Sequence, residues 1–113
     1  MGCWVYILRC ADQTLYSGAT TDLTRRIQAH NDGKGAKYTR SRTPVQLMQS
    51  WQVANWSQAL RLEAGLKKIP KVLKEELIQD PLKIEEWAIH AGYNFSIQVD
   101  SVNDNMYTNH MKQ

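Results

Sequence analysis

The chain has 113 residues, 42% hydrophobic and 22% charged, enough for one domain whose core needs no covalent staples. No apolar run reaches the roughly eighteen residues that a membrane-spanning helix requires. Nothing basic precedes the short apolar stretch Trp4-Val5-Tyr6, so the expectation is no signal peptide, no membrane partner and a cytoplasmic setting. The net charge of +3 is unevenly spread: residues 1–79 hold twelve Lys/Arg against six Asp/Glu, and residues 80–113 hold two against five. A basic body with an acidic end points to a phosphate-rich partner for the body.

Residues 3–9 are rich in aromatic and β-branched types, which predicts a first strand. A turn at 11–14 and a second strand over 15–19 complete a hairpin. Alternation puts Trp4, Tyr6 and Leu8 on one face and Val5 and Ile7 on the other. Both faces are apolar, so the expected sheet is covered on one side and lined with functional aromatics on the other. Cys3 and Cys10 bracket the first strand, roughly 23 Å apart at about 3.3 Å per residue, beyond the reach of a disulfide. With His30, His90 and His110 they show none of the pair spacings of a zinc site.

Thr21-Asp22 offers a cap for a helix over 22–31 with Leu23 and Ile27 inward, ended by Asn31-Asp32-Gly33. Residues 33–44 form a basic loop closed by Pro44. Val45, Leu47, Gln49, Trp51 and Val53 then alternate with Gln46, Met48, Ser50 and Gln52, which predicts a half-buried third strand. Ser57 is the expected cap of a helix over 58–69, whose stripe is Ala59, Leu62, Leu66 and Ile69. Pro70 stops it, and a third helix runs over 71–79 with Leu73 and Leu77, ended by Pro81. The order strand-strand-helix-strand-helix-helix is an α+β architecture: a small three-stranded, mostly antiparallel sheet flanked by helices. Residues 1–79 are the expected domain and 80–113 an extension, only partly ordered towards its end. Within it, 82–90 reads as a helix ended by Gly92, 93–99 alternates like a strand, and 100–113 reads as frayed.

Four features carry chemistry. Tyr6 and Tyr16 lie on paired strands. Arg26 and His30, spaced i, i+4, share a helix face, and Glu63 and Lys67 do the same on a later helix. Between them sit Lys34, Lys37, Arg40 and Arg42. A cation, an imidazole, a metal-capable carboxylate and phenols are the groups that phosphodiester hydrolysis uses.

Trp4-Val5-Tyr6 followed by Tyr16-Ser17-Gly18 resembles the paired tripeptides that name the GIY-YIG nucleases. The resemblance continues through Thr21-Asp22-Leu23-Thr24-Arg25-Arg26, His30, Lys37-Tyr38-Thr39, Pro44-Val45, Ala59-Leu60-Arg61-Leu62-Glu63 and Lys67-Lys68. It covers residues 3–78 and is nearest to the short stand-alone bacterial members. Trp4 and Ser17 depart from the tripeptides at positions that vary in the family, and both tyrosines are kept. Many larger members also carry an asparagine twelve to fifteen residues beyond the metal-binding glutamate; here none occurs between Glu63 and Asn94.

The resemblance implies a metal-dependent DNA endonuclease of GIY-YIG-like fold. It makes Glu63 the ligand of one Mg2+ or Mn2+, which tolerates few protein ligands. It sets Arg26 on the scissile phosphate as a permanently charged fork. Tyr6 activates the attacking water, His30 relays the proton and Tyr16 orients water or phosphate; the roles of the two tyrosines are interchangeable at this point. Arg25, Lys34, Lys37, Arg40, Arg42 and Lys67 contact backbone phosphates, and Tyr38 stacks on an exposed base. Branched or nicked DNA is the substrate by family analogy, with roles in repair or recombination. RNA stays open as a substrate, a monomer is favoured, and the alternative function is a weakly active or inactive nucleic-acid-binding module.

Overall fold

The computed structural model describes residues 2–100, and no helix among them is long and apolar enough to cross a membrane. Strands β1 (Cys3–Arg9) and β2 (Leu15–Thr20) form the expected hairpin, with Tyr6 opposite Gly18 and Leu8 opposite Tyr16. Asp12 accepts from both the backbone and hydroxyl of Thr14 in the turn. Helix α1 (Leu23–Asn31) starts where Asp22 caps the Arg25 amide. Strand β3 (Gln46–Val53) pairs antiparallel with β1 on the side away from β2. Helices α3 (Trp56–Lys68), α4 (Lys71–Gln79) and α5 (Lys83–His90) follow, and α2 (Lys37–Arg40) is a single turn inside the basic loop.

Four details differ from expectation. The sheet has a fourth strand, β4 (Gln98–Val99), antiparallel to β3, giving the order β2-β1-β3-β4. It is short because Tyr93 and Phe95 pack on helices instead. The Tyr93 ring sits 5.7 Å from Trp87, and its hydroxyl donates to the Arg61 carbonyl. Helix α3 is capped by Asn55, which accepts from the Gln58 amide, and not by Ser57. The third difference lies in β3. Its register shifts between Ile7/Gln49 and Leu8/Leu47, leaving Met48 as an extra residue. Such a bulge reverses which face later side chains meet.

Consequently Val45 and Leu47 join one core while Trp51 and Val53 join the other. The larger core sets Val5, Ile7, Trp51 and Val53 against Ala59, Leu62, Leu66, Leu77, Ile84 and Ala88 from α3, α4 and α5. The smaller sets Tyr6, Leu8, Cys10, Val45 and Leu47 against Leu23 and Ile27 of α1. The fourth difference follows from this: both sheet faces are covered, and Tyr6 is wholly buried. Within the extension, α5 and Ile97 share the larger core, and Asp100 donates its amide to the Ser50 carbonyl at 3.1 Å. Of the residues expected to fray, 100–113, all but Asp100 lie outside the described residues.

Candidate active site

The sheet's β2 edge is where side chains from both layers meet. Tyr6 and Tyr16 point to the α1 side, because Tyr6 faces Gly18 and Leu8 faces Tyr16 across the hairpin. Gly18 is required there, since a Cβ would lie 2.4 Å from the Tyr6 hydroxyl. From α1, His30 presents Nε2 to the Tyr6 hydroxyl at 2.8 Å. Arg26, one turn earlier, lies close enough for its guanidinium to favour the ionised form of the same phenol. From the other layer α3 packs along β2. Its Lys67 Nζ sits 4.9 Å from the centre of the Tyr16 ring, and Lys67 lies 3.6 Å from Glu63. Glu63 is close enough for its charge to act on Tyr6. Tyr6, Tyr16, Arg26, His30 and Glu63 are therefore gathered at one place.

Burial sets the resting charge state. Desolvation pushes the Tyr6 phenol up to about 12, more than the Arg26 guanidinium pulls it down. Desolvation first, then the Arg26 charge, pushes the His30 imidazole down to about 4. Both groups are neutral at pH 7, and a phenolate–imidazolium pair is not a standing feature. The His30 shift has a consequence for folding. Between pH 6.5 and 4 an unfolded chain takes up a proton that the folded chain refuses, so stability present above 6.5 is lost as pH falls. A shift of this size corresponds to about 3 kcal/mol. Urea unfolding at pH 7 and pH 4.5 should show this loss, and His30→Gln should flatten it. Glu75 and Asp12, held low chiefly by hydrogen bonds from Arg9 and Thr14 respectively, act equally in both proteins. Parallel profiles for the two proteins would refute the assignment.

The remaining cations and Tyr38 are placed as follows. Arg25, Lys34, Lys37 and Arg40 are exposed on α1 and the following loop. Arg42 is engaged within the protein: Nε meets Asp12 at 3.0 Å, Nη1 donates to the Tyr38 carbonyl, and the guanidinium lies 4.0 Å over the Tyr38 ring. Tyr38 itself lies near-parallel to Tyr16, centres 5.8 Å apart, so a base reaching Tyr38 competes with Arg42. Three residues went unassigned in the sequence reading. Thr39 is buried with its hydroxyl 2.8 Å from His30 Nδ1. Gly35 lets the loop close on His30, because a Cβ there would lie 2.2 Å from Nδ1. Lys74 is half-buried, its ammonium disfavoured by burial and by the charge of Lys67. Thr39 belongs to the family-like stretch Lys37-Tyr38-Thr39; Gly35 and Lys74 carry no signal beyond residue type.

The donor set can be tested against a metal. No group of three or more His, Cys, Asp or Glu that could hold an ion occurs among the described residues. A closed structural zinc site is thus not supported. A single partly exposed carboxylate, Glu63, fits a hard divalent ion that keeps most of its shell as water and phosphate oxygen.

A fold with this hairpin, this α1 histidine and this α3 glutamate is that of the GIY-YIG catalytic domain, whose family model matches residues 2–71, and the chain belongs to that family. Membership places it in a nuclease superfamily acting on nucleic acid and generally dependent on a divalent metal. Among its relatives, a UPF0213 protein of Natronomonas pharaonis is 46% identical over 77 residues, covering 68% of this chain and 91% of the relative. One from Oceanobacillus iheyensis is 46% identical over 76 residues, covering 67% and 88%. The solution NMR structure of a UPF0213 protein from Bacillus halodurans shares 44% identity over 70% of this chain and 84% of its own, with a TM-score of 0.46.

Proposed function

We propose that this protein is an endonuclease that hydrolyses DNA phosphodiester bonds with Mg2+ or Mn2+ and prefers branched or nicked DNA in repair or recombination. The observation that carries the reading is the meeting of the Tyr6–His30 hydrogen bond with Arg26 and Glu63 at one sheet edge. Glu63 would hold the ion, whose charge offsets that gathering on the phosphate and makes a bound water more acidic.

The chain's own groups supply the rest. Arg26 binds a non-bridging phosphate oxygen, and its charge favours ionisation of the nearby Tyr6 phenol. Water attacks phosphorus, Tyr6 takes the water's proton, and the Tyr6 proton passes to His30 Nε2. The new P–O bond forms as the ester P–O bond breaks, and the departing oxygen takes a proton from solvent. Tyr16 and Lys67 flank the phosphate, and the exposed cations Arg25, Lys34, Lys37 and Arg40 hold the strand beyond it. Lys74 is a further candidate for that strand, being beside Lys67 and half-buried.

A weakly active binding module is the second reading. The segment where larger members carry an asparagine is committed to packing here: Glu75 grips Arg9 at 2.6 and 2.9 Å, and Leu77 is buried. Supercoiled plasmid, a branched duplex, linear duplex and RNA of matched length, each with Mg2+, Mn2+ or chelator, separate the readings. The nuclease reading expects metal-dependent nicking, fastest on the branched or nicked duplex. Binding without nicking in either metal would replace it with the module.

A further inference from the structure

The hydrogen bonds around His30 define a direction. Thr39 Oγ has one proton, and it lies 3.0 Å from the Ala36 carbonyl, which can only accept. With that proton committed, Thr39 Oγ accepts at its 2.8 Å contact with His30, so His30 Nδ1 carries the hydrogen. A neutral imidazole protonated on Nδ1 has its lone pair on Nε2. The Tyr6 hydroxyl, 2.8 Å from Nε2, then donates to it. The opposite tautomer would donate from Nε2 to Tyr6 and leave Nδ1 without a donor, facing a hydroxyl already spent.

The segment that carries Thr39 is held from both ends. Asn31, the last residue of α1, accepts from the Val45 amide at 2.7 Å and donates to the Val45 carbonyl at 3.2 Å. At the near end Gly35 allows van der Waals approach to His30. In the middle, Arg42 is clamped to Asp12, and its backbone amide donates to the Thr39 carbonyl. Thr39 is completely buried, as is His30, so no solvent competes for Nδ1.

We propose that Thr39 is a positioning residue that fixes His30 in the Nδ1–H tautomer, leaving Nε2 free to receive the Tyr6 proton during cleavage. The loop that the sequence marks as basic thus serves the reaction from behind, through a hydroxyl. The inference rests on the nuclease reading for its catalytic half and on geometry alone for its tautomeric half. The groups facing His30 are Tyr6 from β1, Tyr16 from β2, Arg26 from its own helix and Thr39 from α2. None of them is a carboxylate that would stabilise an imidazolium, which agrees with the depressed basicity of the ring.

The test compares the whole protein with Thr39→Val, which keeps shape and removes the hydroxyl, and Thr39→Ser, which restores it. Imidazole 15N shifts at pH 7 should show Nδ1–H for His30 in the wild type and the serine variant, and lose that pattern in the valine variant. Nicking of the best DNA substrate should fall about 10- to 100-fold in kcat for Thr39→Val. KM should stay near its original value, and Thr39→Ser should recover activity. An Nε2–H pattern in the wild type, or Nδ1–H retained in Thr39→Val, overturns the tautomeric claim. A changed tautomer with unchanged kcat overturns the catalytic half. If the wild type cleaves nothing, the nuclease reading fails, and the spectra alone decide what Thr39 does to His30.

Discussion

Glu63→Gln is expected to lower single-turnover cleavage about 10³-fold in Mg2+ or Mn2+ while DNA affinity changes by only a few fold. The amide matches the carboxylate in size but is a poor ligand for a hard cation. Losing the cation's charge at the phosphate removes several kcal/mol of transition-state stabilisation, which at about 1.4 kcal/mol per decade gives that magnitude. The fold should survive. Glu63 is partly exposed and its ion pair with Lys67 spans 3.6 Å, an arrangement worth at most about 1 kcal/mol. Cleavage within tenfold of wild type, with an unchanged melting curve, would remove Glu63 from the chemistry.

Tyr6→Phe is the second large effect, a loss of about 10²- to 10⁴-fold, the range ascribed to a general base. The phenyl ring fills the same place in the smaller core, so the variant should fold. It leaves the His30 Nε2 lone pair buried without its 2.8 Å partner, at a cost of about 1–3 kcal/mol in stability. Tyr16→Phe is the control that discriminates the two phenols. Tyr16 is only half-buried and meets His30 edge-on, ring centres 5.5 Å apart, with no hydroxyl contact to it. It should cost about tenfold or less, as expected of a group that orients rather than takes a proton. If Tyr16→Phe is the more damaging change, the base is Tyr16.

Much of this architecture was legible because local signals and burial agree. The hairpin, α1 and the stripe Ala59, Leu62, Leu66 follow from periodicity and capping chemistry alone. The bulge at Met48 was not. Val45 to Val53 reads as one alternating strand interrupted only at Met48 and Gln49, where the types are exchanged, and it is there that the pairing with β1 slips and divides the strand between two cores. Nothing in a single strand's composition records its partner's register. Asn55 outcompeted Ser57 as a cap because both accept an amide equally well and only backbone geometry chooses. Tyr93 and Phe95 look like strand residues, but both rings lie against Arg61 of helix α3, whose carbonyl also accepts from the Tyr93 hydroxyl.

The candidate site divides in the same way. Tyr6, Tyr16, Arg26, His30 and Glu63 were nameable because motif spacing brings charge and phenol together in recognisable order. Thr39 lies within the family-like stretch Lys37-Tyr38-Thr39, yet a threonine next to an arginine in a basic loop gives no sign of a role of its own. Only the fold shows that a turn of helix aims it inward. Arg42 shows what charge alone leaves out: its guanidinium also meets Asp12 and lies over the Tyr38 ring, contacts that residue type does not announce.

The Tyr6–His30 pair and the Glu63 carboxylate ride on opposite layers of the sheet, each beside its own apolar filling. On the proposed function, such a site resembles a vice whose two jaws are aligned by the plate between them. Damage to either filling should misalign cutting before the molecule unravels, so catalytic output becomes a sensitive gauge of how firmly the halves are joined.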